Sequence, residues 1–547
     1  MLRLRLPILA VLLGALAVAG GLRVRIDEAW APTVHAAAPP RIELPEMLAI
    51  ELPTAGMTSI APGDSPLKEL LESASAPGLQ VTHDVRSPLP LGATQVTWSG
   101  TPGGSSQALV TRQAWIYVFP FGQTPAGVSG RHDATAGNHS AKVVRDRWGR
   151  VHVTWLDAAR PGRGSTILYR SGVQDPASGR FAWDIPVSRI TDPSSAVGMV
   201  SMEASANALH FAWATERATR YLRVLNVGGQ WRPDPVRDTG ALGVAYDNGS
   251  DLVVRGDDEI HVLTYTGQYA VSTNGGARWR VEQVPWPSEH TKNPALAVDA
   301  MGNAHVVYVH KVRVPKEWKS GQPNGAYWQL RYVRRQAQGG WVDAQDVLGS
   351  FPQWRDQGMS RDVLADWPDI LADRQGNLHL GFHGTANTGK YGQDEAFYVR
   401  RPVTSAGAWG AWEHPVPLHP VDRATRQSYS YAPSLATDAE SDTVVAVVFF
   451  DYQDQSHETY DSDALLLRGG RLVGRPIALS RNARTAIDAK RGDDALATWF
   501  AIAAPRLYRQ ADGRVWLDVL YTAQTPERHG SPHYVIYQRR EITESLK

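Results

Sequence analysis

The sequence predicts an all-β fold: a seven-bladed β-propeller of four-stranded blades, carried behind an N-terminal signal or anchor and an extended arm. Three observations predict it. A strand–turn–strand unit recurs seven times between His139 and Thr522. Further strand-like runs follow most copies, with Gly-Gly or Gly-X before an aromatic at the turn. Long amphipathic helical periodicity is absent from about Gln95 to the end, which leaves strands and turns as the building material.

The cleanest copy runs from Asn293 to His310, NPALAVDAMGNAHVVYVH. Pro294 to Val298 reads as a short apolar strand and Ala304 to His310 as its alternating partner. Asp299 and Gly302 suit the tight turn between them, because Asp caps its own backbone and Gly tolerates positive φ. Earlier copies are centred on Asp146/Gly149/His152, on His210 and on His261. Later ones are WPDILADRQGNLHLGFHG (Asp373, Gly376, His379), APSLATDAESDTVVAVVFFD and APRLYRQADGRVWLDVLYT. Third and fourth strands follow as YAVSTNGGARWRVEQV after the third copy and YWQLRYVRRQAQGGWVDAQDV after the fourth. Uneven spacing implies variable insertions on one face of a repeat architecture, and a four-stranded repeat reads as a propeller blade. The last copy has a third strand, His533 to Arg540, but no evident fourth. A strand near Trp115 to Phe119 is expected to supply it and close the ring.

At the N-terminus, Arg3 and Arg5 precede an apolar run from Leu6 to Leu22, with Arg23 and Arg25 behind it. That pattern fits a cleaved secretory signal or an uncleaved anchor; cleavage could follow Ala19 or the cluster Ala36-Ala37-Ala38. Residues 1–38 are therefore assigned to signal or anchor, 39–110 to an arm or linker with a few strands and one short helix at Leu67–Ser73, and 111–547 to the propeller. An exported protein is expected, periplasmic, cell-surface or secreted, touching a membrane only through the N-terminal segment and otherwise monomeric. The chain has no cysteine, which excludes disulfides, thiol catalysis and thiolate metal sites. Its formal net charge of +1 gives no basic stripe for a nucleic-acid partner.

The stretch Ser272-Thr-Asn274-Gly-Gly276-Ala-Arg-Trp279 resembles the Asp-box turn of the sialidase-like (bacterial neuraminidase repeat) propellers, with Asn274 where Asp is usual. The Pro-Ala-Leu…Asp…Gly-Asn…His-Val pattern is similar to hairpins of the same superfamily. This resemblance covers about three quarters of the chain and implies the fold. For activity it implies less, because such propellers host hydrolases, lyases and pure binders. Sialidases open the first blade with Arg-Ile-Pro; here the nearest match is Lys292-Asn293-Pro294, so true sialidase activity is not expected. Lyases on related propellers use His and Tyr beside a uronate, and the His290/His310 pair brackets a hairpin in a way that resembles them.

Recurrence sorts the histidines. His152, His210, His261, His305 and His379 share one register, so a scaffolding hydrogen bond is expected of them rather than a metal site. The unrepeated residues sit where second strands end and on the connections between blades, the face where binding loops are expected. There, His290, His310, His383 and Tyr452 are candidates for moving protons. Arg361 and Arg426 are candidates for holding an anionic group, and Trp318 and Tyr391 for stacking on sugar rings. No metal or organic cofactor is indicated, although Asp451, Asp454, Asp461 and Asp463 could hold a structural Ca²⁺. The expected ligand is an acidic polysaccharide or other glycan, bound at this face; whether it is also cleaved is left open, and if the protein is an enzyme it is expected to be a lyase or glycoside hydrolase. The alternative is a non-catalytic envelope propeller that binds glycan or protein.

Overall fold

The structure is a computed structural model. It describes residues 40–546 apart from 104–106, 108, 161–162, 177, 192–196, 244–249, 287–290, 314–325, 350–364, 387–392, 406–407, 419–426, 453–459, 485–495, 527–528 and 531. Almost all regular structure is β, in antiparallel sheets that follow one another along the chain. The first comprises Val143–Arg145, Val151–Arg160, Arg163–Gln174 and Phe181–Arg189. The second begins with Val197–Ala204, the third with Asp251–Arg255 and the fourth with Thr291–Val298. The fifth begins with Asp366–Ala372 and the sixth with Gln427–Thr437. The last contains Ala497–Ala503, Val515–Gln524 and His533–Glu541. Consecutive leading strands pack on one another from the second sheet to the last, and Val143–Arg145 packs on both the second and the last. The arrangement is propeller-like, with these leading strands around a central channel.

The strand that completes the last sheet is Gln123–Ser129, paired along His533–Gln538. It is not Trp115–Phe119, which belongs to a separate N-terminal sheet and pairs with Gly92–Gln95 and with Ala49–Glu51. The physical reason is visible at Gly127, where a Cβ would lie 2.4 Å from the Trp155 ring of the first sheet. No side chain fits at that position, and with Gln123, Thr124, Pro125 and Ser129 around it the closing strand shows little apolar signature. The leading strand of the last sheet is likewise Ala497–Ala503, ahead of the Ala504-Pro505-Arg506 start expected from the repeat. The N-terminal arm is folded from residue 40 onward. Ile42, Leu48, Ile50, Leu52 and Ile60 bury against the helix Leu67–Glu72 and Trp98. Tyr117 and Phe119, on the other face of that sheet, enter the core of the sixth and last sheets.

Each of the five recurrent histidines is buried and held on both ring nitrogens. His305 Nε2 lies 3.3 Å from the turn residue Asp299, and Nδ1 lies 2.8 Å from the Tyr332 hydroxyl on the third strand. His379 repeats this with Asp373 and Tyr398 at 3.0 and 2.6 Å, and His152 with Asp146 and Tyr169 at 3.2 and 2.8 Å. His210 uses Ser205 and Tyr221, and His261 uses Glu259 and Tyr269. The geometry fits a neutral imidazole that donates from Nε2 and accepts from tyrosine at Nδ1. The turn is thereby tied to two strands of its own sheet. Burial pushes His210 down to about 3 and also lowers His152 and His305. Burial works against charge on Asp299, but hydrogen bonds from His305 and Asn303 win and hold it at about 2.

Tyr332→Phe strands His305 Nδ1 in the core and should cost about 1–3 kcal/mol in denaturant unfolding. The lowered imidazole pKa sets a second expectation. A base whose folded pKa is depressed contributes stability that is complete above its unfolded value of 6.5 and is lost as pH falls towards about 3. His210→Gln should therefore lower stability at pH 8 and flatten its fall on acidification from pH 6.5 to 4, measured by melts across pH.

Candidate functional site

Leading strands start, second strands end and third strands begin at one face, and the longest connections depart from it. At this end four leading strands carry the same kink. Asn293, Trp367, Ala432 and Phe500 have φ of 49°, 48°, 35° and 46°, each at a register shift against the second strand. Positive φ is costly for such side chains and is kept where surrounding contacts impose it, often beside functional sites.

The fourth and fifth sheets meet here through an ion pair between Lys292 and Asp366. Asp366 is 7% exposed and also accepts hydrogen bonds from Asn293 Nδ2 at 2.5 Å and from the Trp367 amide at 2.9 Å. The Lys292 ammonium sits 4.3 Å above the half-buried Trp328 ring, with Lys311 5.8 Å from the same ring. This junction occupies a position where the ring lacks its usual link. In the third and fifth sheets a buried leading-strand carboxyl accepts an amide of the next sheet: Asp251 from Leu296 and Asp369 from Leu435, both at 2.7 Å. In the sixth, Ser434 accepts from Ala503 at 3.1 Å. The fourth sheet has Ala295 at that position, and the link to its neighbour is made at the face instead.

His310 stands opposite Thr291, three residues before its strand ends at Arg313, its Nδ1 3.4 Å from the threonine hydroxyl. His383 stands opposite Asp366, three residues before the next sheet's second strand ends at Ala386, and sets its ring edge-on to Tyr431, 6.0 Å between centroids. Tyr452 is placed through its backbone, opposite Gln427 in the sheet after that. The three thus lie near the ends of second strands of consecutive sheets, towards one face, although only Tyr452 is the final residue of its strand. His290, Trp318, Arg361, Tyr391 and Arg426 lie outside the described residues. Of the acids considered for Ca²⁺, Asp461 accepts from Ser480 and from the amides of Ala483 and Arg484, and Asp463 pairs with Arg481 at 2.5 Å. Asp454 is outside the described residues, among which no group of three or more His, Asp or Glu is arranged to hold a metal ion.

Sequence reasoning missed the floor of this face. After Ser129 the chain turns inward across the channel mouth. Arg131 forks onto Asp133, and Thr135 donates to the Phe500 carbonyl at 3.0 Å. Asn138 Nδ2 donates to the carbonyls of Trp367 and Pro433 at 2.7 and 2.9 Å. Below it lies a cavity of about 80 Å³ lined by His139, Glu203, Asp251 and Asp369. Burial drives His139 down to about 3 and raises Asp369 to about 7. Around the mouth, Trp367, Phe500, Trp499 and His132 stand half-buried or exposed, over Tyr431, Phe449 and Tyr460. One signal in the sequence could have found the kinks: Asn293-Pro294, Trp367-Pro368 and Ala432-Pro433 repeat a residue–proline pair at one register.

No protein-family model and no curated protein matches the chain. Among solved structures it is similar to the PL25 ulvan lyase bound to -[GlcA(1-4)Rha3S]-, with 12% identity and a TM-score of 0.46 over 77% of this chain and 98% of that one. It is also similar to a thermostable family-43 glycoside hydrolase, with 11% identity and a TM-score of 0.34 over 65% and 97% of the two chains. A Hadza microbial sialidase matches at 12% identity and a TM-score of 0.30, over 66% of this chain and 62% of that chain.

Asp366→Asn removes the charge that holds Lys292 while keeping the side chain's shape. It should destabilise the protein by about 2–3 kcal/mol in equilibrium unfolding. An unchanged midpoint would mean that the pair carries no weight at this junction.

Proposed function

We propose that the protein is a seven-bladed, sialidase-like propeller that takes an acidic polysaccharide or glycan chain at the face where its leading strands begin. The observation that supports this most is a coincidence of groups there. Two lysines on Trp328 and the Lys292–Asp366 junction stand beside His310 and His383 and next to half-buried aromatic rings. Cations suit a uronate carboxylate or a sulfate, flat rings suit sugar faces, and an imidazole can take and return a proton. In this reading His310 and His383, with His290 and Tyr452, transfer protons during cleavage. Arg361 and Arg426 neutralise the acidic group, and Trp318 and Tyr391 stack on neighbouring sugars. The basic and apolar N-terminal run supports an exported setting, and the reading takes the chain as a monomer without an organic cofactor.

A binding-only role is favoured by one observation: both oxygens of Asp366 are already taken, by Lys292, Asn293 and Trp367, so this carboxylate is not poised as a general base.

Purified protein incubated with a panel of uronate-containing and sialic-acid glycans separates these readings. Ultraviolet absorbance from an unsaturated product reports elimination, and new reducing ends without it report hydrolysis. Cleavage should fall by roughly 100-fold in His383→Ala, the usual weight of a positioned proton-transfer group. Binding without product establishes the binding-only role. The absence of both binding and product across the panel refutes the proposal.

A further inference from the structure

The rings that span the channel mouth form a continuous row. Trp367 of the fifth sheet lies 5.6 Å from Phe500 of the last, and Phe500 lies 5.3 Å from Trp499. Trp499 lies 6.3 Å from His132, and His132 lies 6.3 Å from His533 at the far rim. Such spacings are on the scale of one pyranose residue. Each ring from Trp367 to His132 keeps part of its surface open, whereas the aromatics beneath, Phe449 and Tyr460, are buried and fix its position.

Two features indicate that this row is built to receive something. Trp367 and Phe500 both sit on the positive-φ kinks, a backbone conformation that costs free energy and presents their rings at the mouth. Cationic groups mark both ends, Lys292 and Lys311 on Trp328 near the fifth sheet and Arg131 beside His132 at the other.

We propose that this row is an extended subsite for several consecutive sugar residues of an acidic chain, leading from the His310/His383 region towards His132, with Trp499 setting the preference for long chains over short ones. The inference rests on the functional reading above and adds to it the length of the substrate and the residues that measure it. A peptide is the less suitable occupant, because the row offers aromatic rings and, among the described residues, no unpaired strand edge.

The test compares size-defined oligosaccharides, from disaccharide to octasaccharide, of whichever acidic polysaccharide the wild-type protein binds. Calorimetry gives Kd, and kcat/KM is added where cleavage occurs. The wild type should favour the hexasaccharide over the disaccharide by about tenfold or more, and Trp499→Ala should bring that ratio close to one. His132→Ala, at an exposed position, should lower the ratio in the same direction, and it decides the matter if a melt shows Trp499→Ala unfolded. Length-independent binding by the wild type, or an unaltered ratio in folded variants, overturns the extended subsite while leaving the functional reading in place. Failure of the wild type to bind any glycan overturns both.

Discussion

The leading strands face one another across a channel without forming a common sheet, so their inner edges carry backbone amides that no ladder satisfies. The fold depends on how these are paired. Asp251 and Asp369 each place a carboxyl oxygen 2.7 Å from an amide of the next sheet, and Ser434 repeats the device with a hydroxyl. The Met202 amide reaches the Ala141 carbonyl at 2.8 Å. Arg145 and Asp518 complete the circuit from the first sheet to the last with an ion pair at 2.6 Å, supported by Tyr537. Burying acids in this way is costly, and it shows in Asp369, which burial raises to about 7. That contribution has the opposite sign to the histidines: it is complete below the unfolded value of 3.8 and is lost as pH rises through about 7.

With the ring fixed from within and the first five sheets each braced near the turn by a buried histidine–tyrosine pair, the opposite face is released from scaffolding work. The fourth sheet shows the division of labour. Ala295 removes the buried acceptor, and the junction moves outward to Lys292, Asn293 and Asp366. The kinks at Asn293, Trp367, Ala432 and Phe500 turn the strand ends towards the mouth, and Asn138 pins two of those kinked strands through the carbonyls of Trp367 and Pro433. Strain, charge and aromatic surface therefore collect on the side that carries the irregular connections.

How much of this could be read from the sequence follows from the range of the interactions. The hairpins were legible because turn acid, glycine and histidine lie within a few residues of one another, and the shared register of His152, His210, His261, His305 and His379 disclosed their structural role. The closing strand was not legible. Gln123–Ser129 holds a glycine against Trp155 and few large apolar residues, so the apolar run Trp115–Phe119 looked like the better strand, although its two faces serve different cores. The Pro-rich arm concealed a core because its apolar residues are spaced irregularly and meet only through the helix and Trp98. His310, His383 and Tyr452 could be assigned to one face from strand direction alone. Lys292 and Asp366, or Trp367 and Phe500, are far apart along the chain and meet only through the order of the sheets, which no local pattern encodes.

The central claim is that recognition belongs to the face bearing Lys292, His310, His383 and Trp499, and that the turn face with its repeated histidines is scaffold. A crystal structure with a bound acidic oligosaccharide tests it most directly. The account predicts sugar density over the channel mouth, in contact with Trp499 and within hydrogen-bonding reach of the Lys292–Asp366 junction. Density seated instead on the turn face, beside His305 and Trp409, would contradict it.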